Sequence, residues 1–129
     1  MKNRSLHLIA VSVMMILMTS CIYDWVVPEE APDIPVGVEI SFADQIIPIF
    51  TAGNNCTSCH RAGATPPDLT AANAYTQINT AKYLNRSAPA ESGIYKVPAP
   101  SSTTHRHKIY TSQQAALILA WIEQGAKNN

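Results

Sequence analysis

Cys56-Thr57-Ser58-Cys59-His60 is the run on which the reading of this 129-residue chain turns. Two thiols three positions apart, followed at once by an imidazole, form the pattern by which haem is attached covalently. The thiols of Cys56 and Cys59 add to the two vinyl groups, and His60 then lies under the iron as its proximal ligand. A redox dithiol would be expected near a βαβ pattern, and half of a zinc site would need a second Cys or His pair. Neither setting is present in the sequence, and the remaining cysteine, Cys21, has a separate reading.

Upstream, Lys2 and Arg4 precede the apolar run Leu8 to Met18 and then small residues leading to Cys21. This is the pattern of an export signal. The run falls short of the about 20 residues that a membrane-spanning helix needs, so residues 1–20 are read as a cleaved signal. Met18-Thr19-Ser20-Cys21 resembles a lipobox, which makes Cys21 the lipidated first residue of the mature chain. The alternative is an ordinary signal cut nearby, leaving Cys21 as an exported thiol open to oxidation.

Residues 21–40 read as a Pro-rich acidic tether. Pro28, Pro32, Pro35 and Gly37 lie among Asp24, Glu29, Glu30, Asp33 and Glu39, a composition that favours an extended, hydrated chain. At ~3.1 Å per residue such a strap reaches about 60 Å from the lipid. Val36, Val38 and Ile40 alternate with Gly37 and Glu39, a weak strand signal, but no sheet is expected. From Asn54 onward seven Lys and Arg face three carboxylates, an excess of four positive charges. A modestly basic module suits a redox partner with an acidic docking face; a merely solvated surface explains the same charges. Nothing indicates a nucleic-acid partner.

Residues 41–129 leave room for one small domain. Ser41-x-x-Asp44 reads as a capping box before Ile46, Ile47, Ile49 and Phe50, with Pro48 expected to kink or end that helix. Thr65-Pro66-Pro67-Asp68-Leu69 reads as a rigid loop. Thr70 is expected to cap a helix through Ile78 with Ala74, Tyr75 and Ile78 inward, and Pro89 to open another bearing Ile94, Tyr95 and Val97. The last helix has a Thr111-x-x-Gln114 box, a stripe of Ala115, Ile118, Leu119 and Ile122, and Gly125 as its stop.

The order of these pieces resembles a single-haem, class I type cytochrome c over Ser41 to Asn129. Ser41-Phe42, Ile46, Pro48-Ile49-Phe50 before the haem motif and Trp121-Ile122 with Gly125-Ala126 at the end are similar to the small cytochrome domains of exported bacterial proteins. The resemblance implies a mainly α fold of three to five helices around one covalently bound haem c. It also implies that the terminal helices cross, with Phe50 and Trp121 at the contact, and that the carbonyl of Pro66 or Pro67 accepts the second N–H of His60.

One feature departs from that family. Its members generally place a Met sulfur on the distal side of the iron, whereas Met1, Met14, Met15 and Met18 all lie in the expected signal. His105 and His107 occupy the loop where that Met would stand. Bis-His ligation is expected, with His107 as the distal ligand and His105 as the alternative; the other imidazole, with Arg106 and Lys108, is placed to pair with a haem propionate. Because Met ligation raises the potential of cytochromes c, a lower potential is expected here.

The function expected is one-electron transfer between exported redox partners by a protein anchored through its N-terminal lipid, on the periplasmic or cell-surface side of a bacterial membrane. It is read as a carrier and not as an enzyme, since no nucleophile elbow or phosphate loop is present. Two alternatives stay open: a five-coordinate haem that binds a small gas or reduces peroxide, and a haem-bearing accessory subunit of a membrane redox complex.

Overall fold

Ser41, where the apolar periodicity begins, also begins the helical structure. The computed structural model describes Ile34, residues 37–105 and residues 107–129. Cys21, the expected signal, most of the expected tether and Arg106 lie outside the described residues. Ser41 is extended (φ −79°, ψ 128°), and its hydroxyl accepts the N–H of Asp44 at 3.2 Å. The return arm of the box comes from Gln45, whose Oε1 accepts the Ser41 N–H at 2.9 Å, so the cap is one residue longer than the sequence reading.

Pro48 does not end this helix. A π-type turn, Phe42–Ile46, leads without interruption into α1, Ile47–Thr51. Proline removes a donor and crowds the carbonyl four residues back. A wide turn immediately before it, in which the Ile47 N–H reaches the Phe42 carbonyl, accommodates both. Beyond Thr51, Gly53 turns the chain with φ 59°, a left-handed conformation that suits glycine.

The second helix starts later than expected. α2 is Ala74–Ile78, and Thr70 is not its cap. Thr70 is instead engaged by Asp68, whose carboxylate accepts the Thr70 N–H at 3.0 Å, the Thr70 hydroxyl at 2.7 Å and the Asn73 side-chain amide at 2.8 Å. Asp68 thus organises the turn before α2, and the bonds from Thr70 hold its carboxyl below the usual carboxylate range. Ala74 and Ile78 are fully buried and Tyr75 partly so.

The helix expected after Pro89 is broken in two. A 3-10 turn, Pro89–Glu91, precedes α3, Gly93–Lys96, and between them Ser92 is extended and buried. Ser92 leaves helical geometry to pair with another segment: its hydroxyl accepts the Asn85 N–H at 2.9 Å, and the following Ile94 N–H bonds the Tyr83 carbonyl at 3.1 Å. Gly93 lies at this close approach, where a β-carbon would stand 3.1 Å from the Lys82 carbonyl oxygen. Ile94 is buried as expected, but Val97 is exposed.

α4, Ser112–Glu123, follows its sequence signals most closely. Thr111 Oγ1 accepts the Gln114 N–H at 3.1 Å and Gln114 Oε1 accepts the Thr111 N–H at 3.0 Å. At the other end Gly125 (φ 99°) donates to Ile122 O and Ala126 to Trp121 O, the paired bonds of a Schellman stop. Ala115, Ile118 and Ile122 are buried; Leu119 is only partly so, because the stripe is completed by Trp121, 1% exposed.

The terminal helical segments meet through aromatics. The ring that faces Trp121 is that of Phe42, at 5.1 Å between centroids, with Tyr75 edge-on to Phe42 at 5.3 Å. Phe50 is fully buried in the same core, but its ring is not the partner of Trp121. The C-terminal residues close this contact by satisfying helix-start donors that have no intrahelical acceptor: Asn129 accepts the N–H of Phe42 through its side chain and that of Ala43 through its carbonyl, each at 2.9 Å. Gln124 brackets residues 38–40 from both sides, with bonds to Ile40 N and Val38 O. No strand occurs among the described residues, so the fold is mainly α.

Candidate functional site

The Cys56–His60 segment hangs from the end of α1. The N–H groups of Cys56 and Thr57 both reach the Phe50 carbonyl, and Asn55 Nδ2 donates to Ile49 O. The His60 N–H then bonds the Cys56 carbonyl at 2.8 Å, closing one helical turn. Four residues apart on such a turn are neighbours, so the imidazole comes onto the side of the Cys56 sulfur. Neither cysteine is in a disulfide; Cys56 is half-buried and Cys59 exposed. Burial pushes the Cys56 thiol up, with the positive charge of Lys108 opposing in part.

His60 Nδ1 lies 3.2 Å from the carbonyl oxygen of Pro67. A carbonyl only accepts, so this contact places a ring proton on Nδ1, and in the neutral ring Nε2 is then the nitrogen that can bind a metal. Of the two prolines anticipated for this bond, Pro67 makes it. The loop is held in place by the Leu69 N–H, which returns to the His60 carbonyl at 3.0 Å.

Across from His60 stands His105. Their rings are 6.1 Å apart between centroids and inclined by only 21°. His105 Nδ1 is in turn 2.6 Å from the Lys108 carbonyl oxygen, so it too carries its proton on the side away from Nε2. His107 is exposed and lines only a small recess of about 50 Å³, shared with Cys59, His60 and His105. Of the two histidines expected as candidates, His105 has its ring 6.1 Å from that of His60, whereas His107, the one placed first, lines only the recess.

Between these walls lies a cavity of about 260 Å³, bounded by Cys56, His60, Pro67, Ile94, His105 and Tyr110 among others. Its lining is largely apolar, as cofactor sites generally are. Tyr110 was not singled out by the sequence. It is 3% exposed, donates its hydroxyl to Ile94 O at 2.9 Å and its N–H to Pro98 O at 2.7 Å. Burial raises its phenol well above the usual tyrosine range, so it stays a neutral donor. It ties the ligand loop to α3, a role with no periodic signature because Tyr110 belongs to neither helix.

The residues fit a covalent porphyrin: the Cys56 thiol and the imidazoles of His60 and His105 line an apolar cavity, and Cys59 lines the small recess that shares those three residues. Residues 49–126, more than half of the chain, match the family model of cytochrome c. The chain belongs to the cytochrome c family. No curated protein and no solved structure matches it.

A cytochrome c domain carries covalently bound haem c, typically one per domain, and serves electron transfer. The family consists of carriers in general rather than enzymes, and such domains are typically exported. Among the described residues no helix is long and apolar enough to cross a membrane. The helix count of the cytochrome domain, α1 to α4 among the described residues, falls within the three to five expected.

Proposed function

We propose that this cytochrome c domain is a one-electron carrier with Cys56 and Cys59 as the thioether residues, His60 as the proximal and His105 as the distal ligand. Haem c supplies the redox couple, and the protein supplies ligands, orientation and dielectric. The supporting observation is the facing pair of imidazoles. Two nitrogens each about 2 Å from one metal, with ring centres about 1 Å behind them, bring those centres roughly 6 Å apart, close to the 6.1 Å of His60 and His105. Each Nδ1 is turned to a backbone carbonyl, the outer contact that commonly orients a metal-bound histidine. His105 is therefore preferred over His107.

The same pairing argues for a low potential. A hydrogen bond from Nδ1 raises the basicity of the ligating nitrogen, and the 2.6 Å contact from His105 to Lys108 O is the shorter of the two. Electron-rich imidazoles on both faces favour the ferric state, and no Met lies beyond residue 18 to oppose them.

The remaining proposals concern setting. Cys21 carries the lipid, the acidic segment 21–40 spaces the domain from a bacterial membrane, and the basic domain docks on redox proteins with acidic faces on the exported side. Redox titration of the full chain, with cyanide challenge of the ferric form, tests the carrier reading. A reversible one-electron wave below the range of His/Met relatives, with a low-spin ferric spectrum that cyanide leaves unchanged, is expected. A high-spin ferric form taking up cyanide rapidly would instead indicate a five-coordinate gas or peroxide site.

A further inference from the structure

Lys82 and Tyr83 line the main cavity, and neither lines the recess around Cys59 and His107. The Lys82 ammonium lies 5.0 Å from the centre of the Tyr83 ring, a cation–π contact that holds a flexible side chain in place. Tyr83 is itself fixed, since its carbonyl accepts the Ile94 N–H and its backbone packs against Gly93. No carboxylate among the described residues pairs with Lys82, whereas Lys96 and Lys127 have Glu91 and Glu39. An exposed cation with no carboxylate partner among the described residues thus stands at the wall of an apolar cofactor slot.

We propose that Lys82, steadied by Tyr83, is the ionic partner of a porphyrin propionate. This rests on the reading of the cavity as the haem c site. In the porphyrin the two vinyl groups sit on adjacent pyrroles and the two propionates on the other two. Attachment at Cys56 and Cys59 therefore commits the vinyl edge to that side and directs the carboxylates away from it. His107 lines the recess of Cys59 and not the main cavity. Lys82 lines the main cavity, which Cys56 reaches and Cys59 does not, and its exposed ammonium carries the charge opposite to a carboxylate.

The pairing has a redox consequence. The ferric centre carries one more positive charge than the ferrous, so an uncompensated propionate favours the oxidised form, and a cation beside it opposes that preference. Lys82 thereby raises the midpoint potential that the two imidazoles lower.

The test uses the full holoprotein as Lys82→Gln, Lys82→Arg and, as an exposed control that does not line the cavity, Lys96→Gln. Intact mass and a low-spin ferric spectrum first confirm that each variant carries attached haem, which separates this test from the reading it rests on. The midpoint potential is expected to fall in K82Q and to return in K82R, while K96Q leaves it in place. The propionate carboxylate band in the redox-difference infrared spectrum is expected to move in K82Q alone. Equal potential shifts in K82Q and K96Q, or a propionate band unmoved in K82Q, would overturn the assignment.

Discussion

Replacing His105 by alanine is expected to convert the ferric iron from a low-spin form inert to cyanide into a high-spin form that binds it readily. The reason is arithmetic. An internal ligand that keeps the open form at or below ~1% weakens every external ligand by the same fraction, so its removal strengthens cyanide binding on the order of a hundredfold or more. The midpoint potential should rise as well, because a basic imidazole is lost from the ferric side. His107→Ala should leave spin state and cyanide response unchanged, since that ring is exposed and does not line the main cavity. His107 does share the recess with His105, so the double variant completes the series and removes any substitute imidazole. A high-spin ferric form in His107→Ala, with His105→Ala unaltered, would exchange the two roles.

Trp121→Ala is expected to cost about 3–5 kcal/mol of folding free energy, the range for deleting a buried large aromatic. Trp121 is 1% exposed, its ring lies 5.1 Å from Phe42, and its Nε1 donates to the Lys127 carbonyl at 2.8 Å. Truncation removes the ring contact between the two ends of the domain and strands that carbonyl. Against a stability of about 5–15 kcal/mol for a small domain, this is a large fraction. Trp121→Phe keeps most of the apolar volume and loses the hydrogen bond, so a smaller loss near 1 kcal/mol is expected. Denaturant midpoints at constant slope measure both. A loss below about 1 kcal/mol for Trp121→Ala would show that the aromatic contact does not hold the terminal segments together.

The extent to which the chain could be read in advance differs by element, for physical reasons. α4 was legible because all its signals are local: a Thr–Gln box, a stripe at helical period and a glycine stop act within one turn of the residues that carry them. The Cys56–His60 turn was legible because its chemistry fixes the spacing. The start of α2 was not, since two hydroxyl or carboxylate side chains, Thr70 and Asp68, compete for the same donors, and the carboxylate organises the turn. The break at Ser92 depends on Asn85, seven residues away, and the capping of Phe42 and Ala43 on Asn129, at the far end of the chain. Such long-range partners leave no mark in a local pattern.

The site shows the same division. That a histidine of the loop 103–108 is a candidate distal ligand followed from composition, through the missing methionine. That the ring of His105 lies 6.1 Å from that of His60, with its Nδ1 on the Lys108 carbonyl, did not. Tyr110 and Lys82 were invisible because each acts as a single residue in a loop.

The central claim is that Cys56 and Cys59 hold haem c through thioether bonds. Intact mass of the exported chain, made in a host that matures c-type cytochromes and denatured before measurement, tests it most directly. A mass increased by one haem, with red colour that stays on the unfolded polypeptide and is lost in the Cys56→Ala/Cys59→Ala variant, is the predicted result. An unmodified, colourless chain, or colour retained without both thiols, would contradict it.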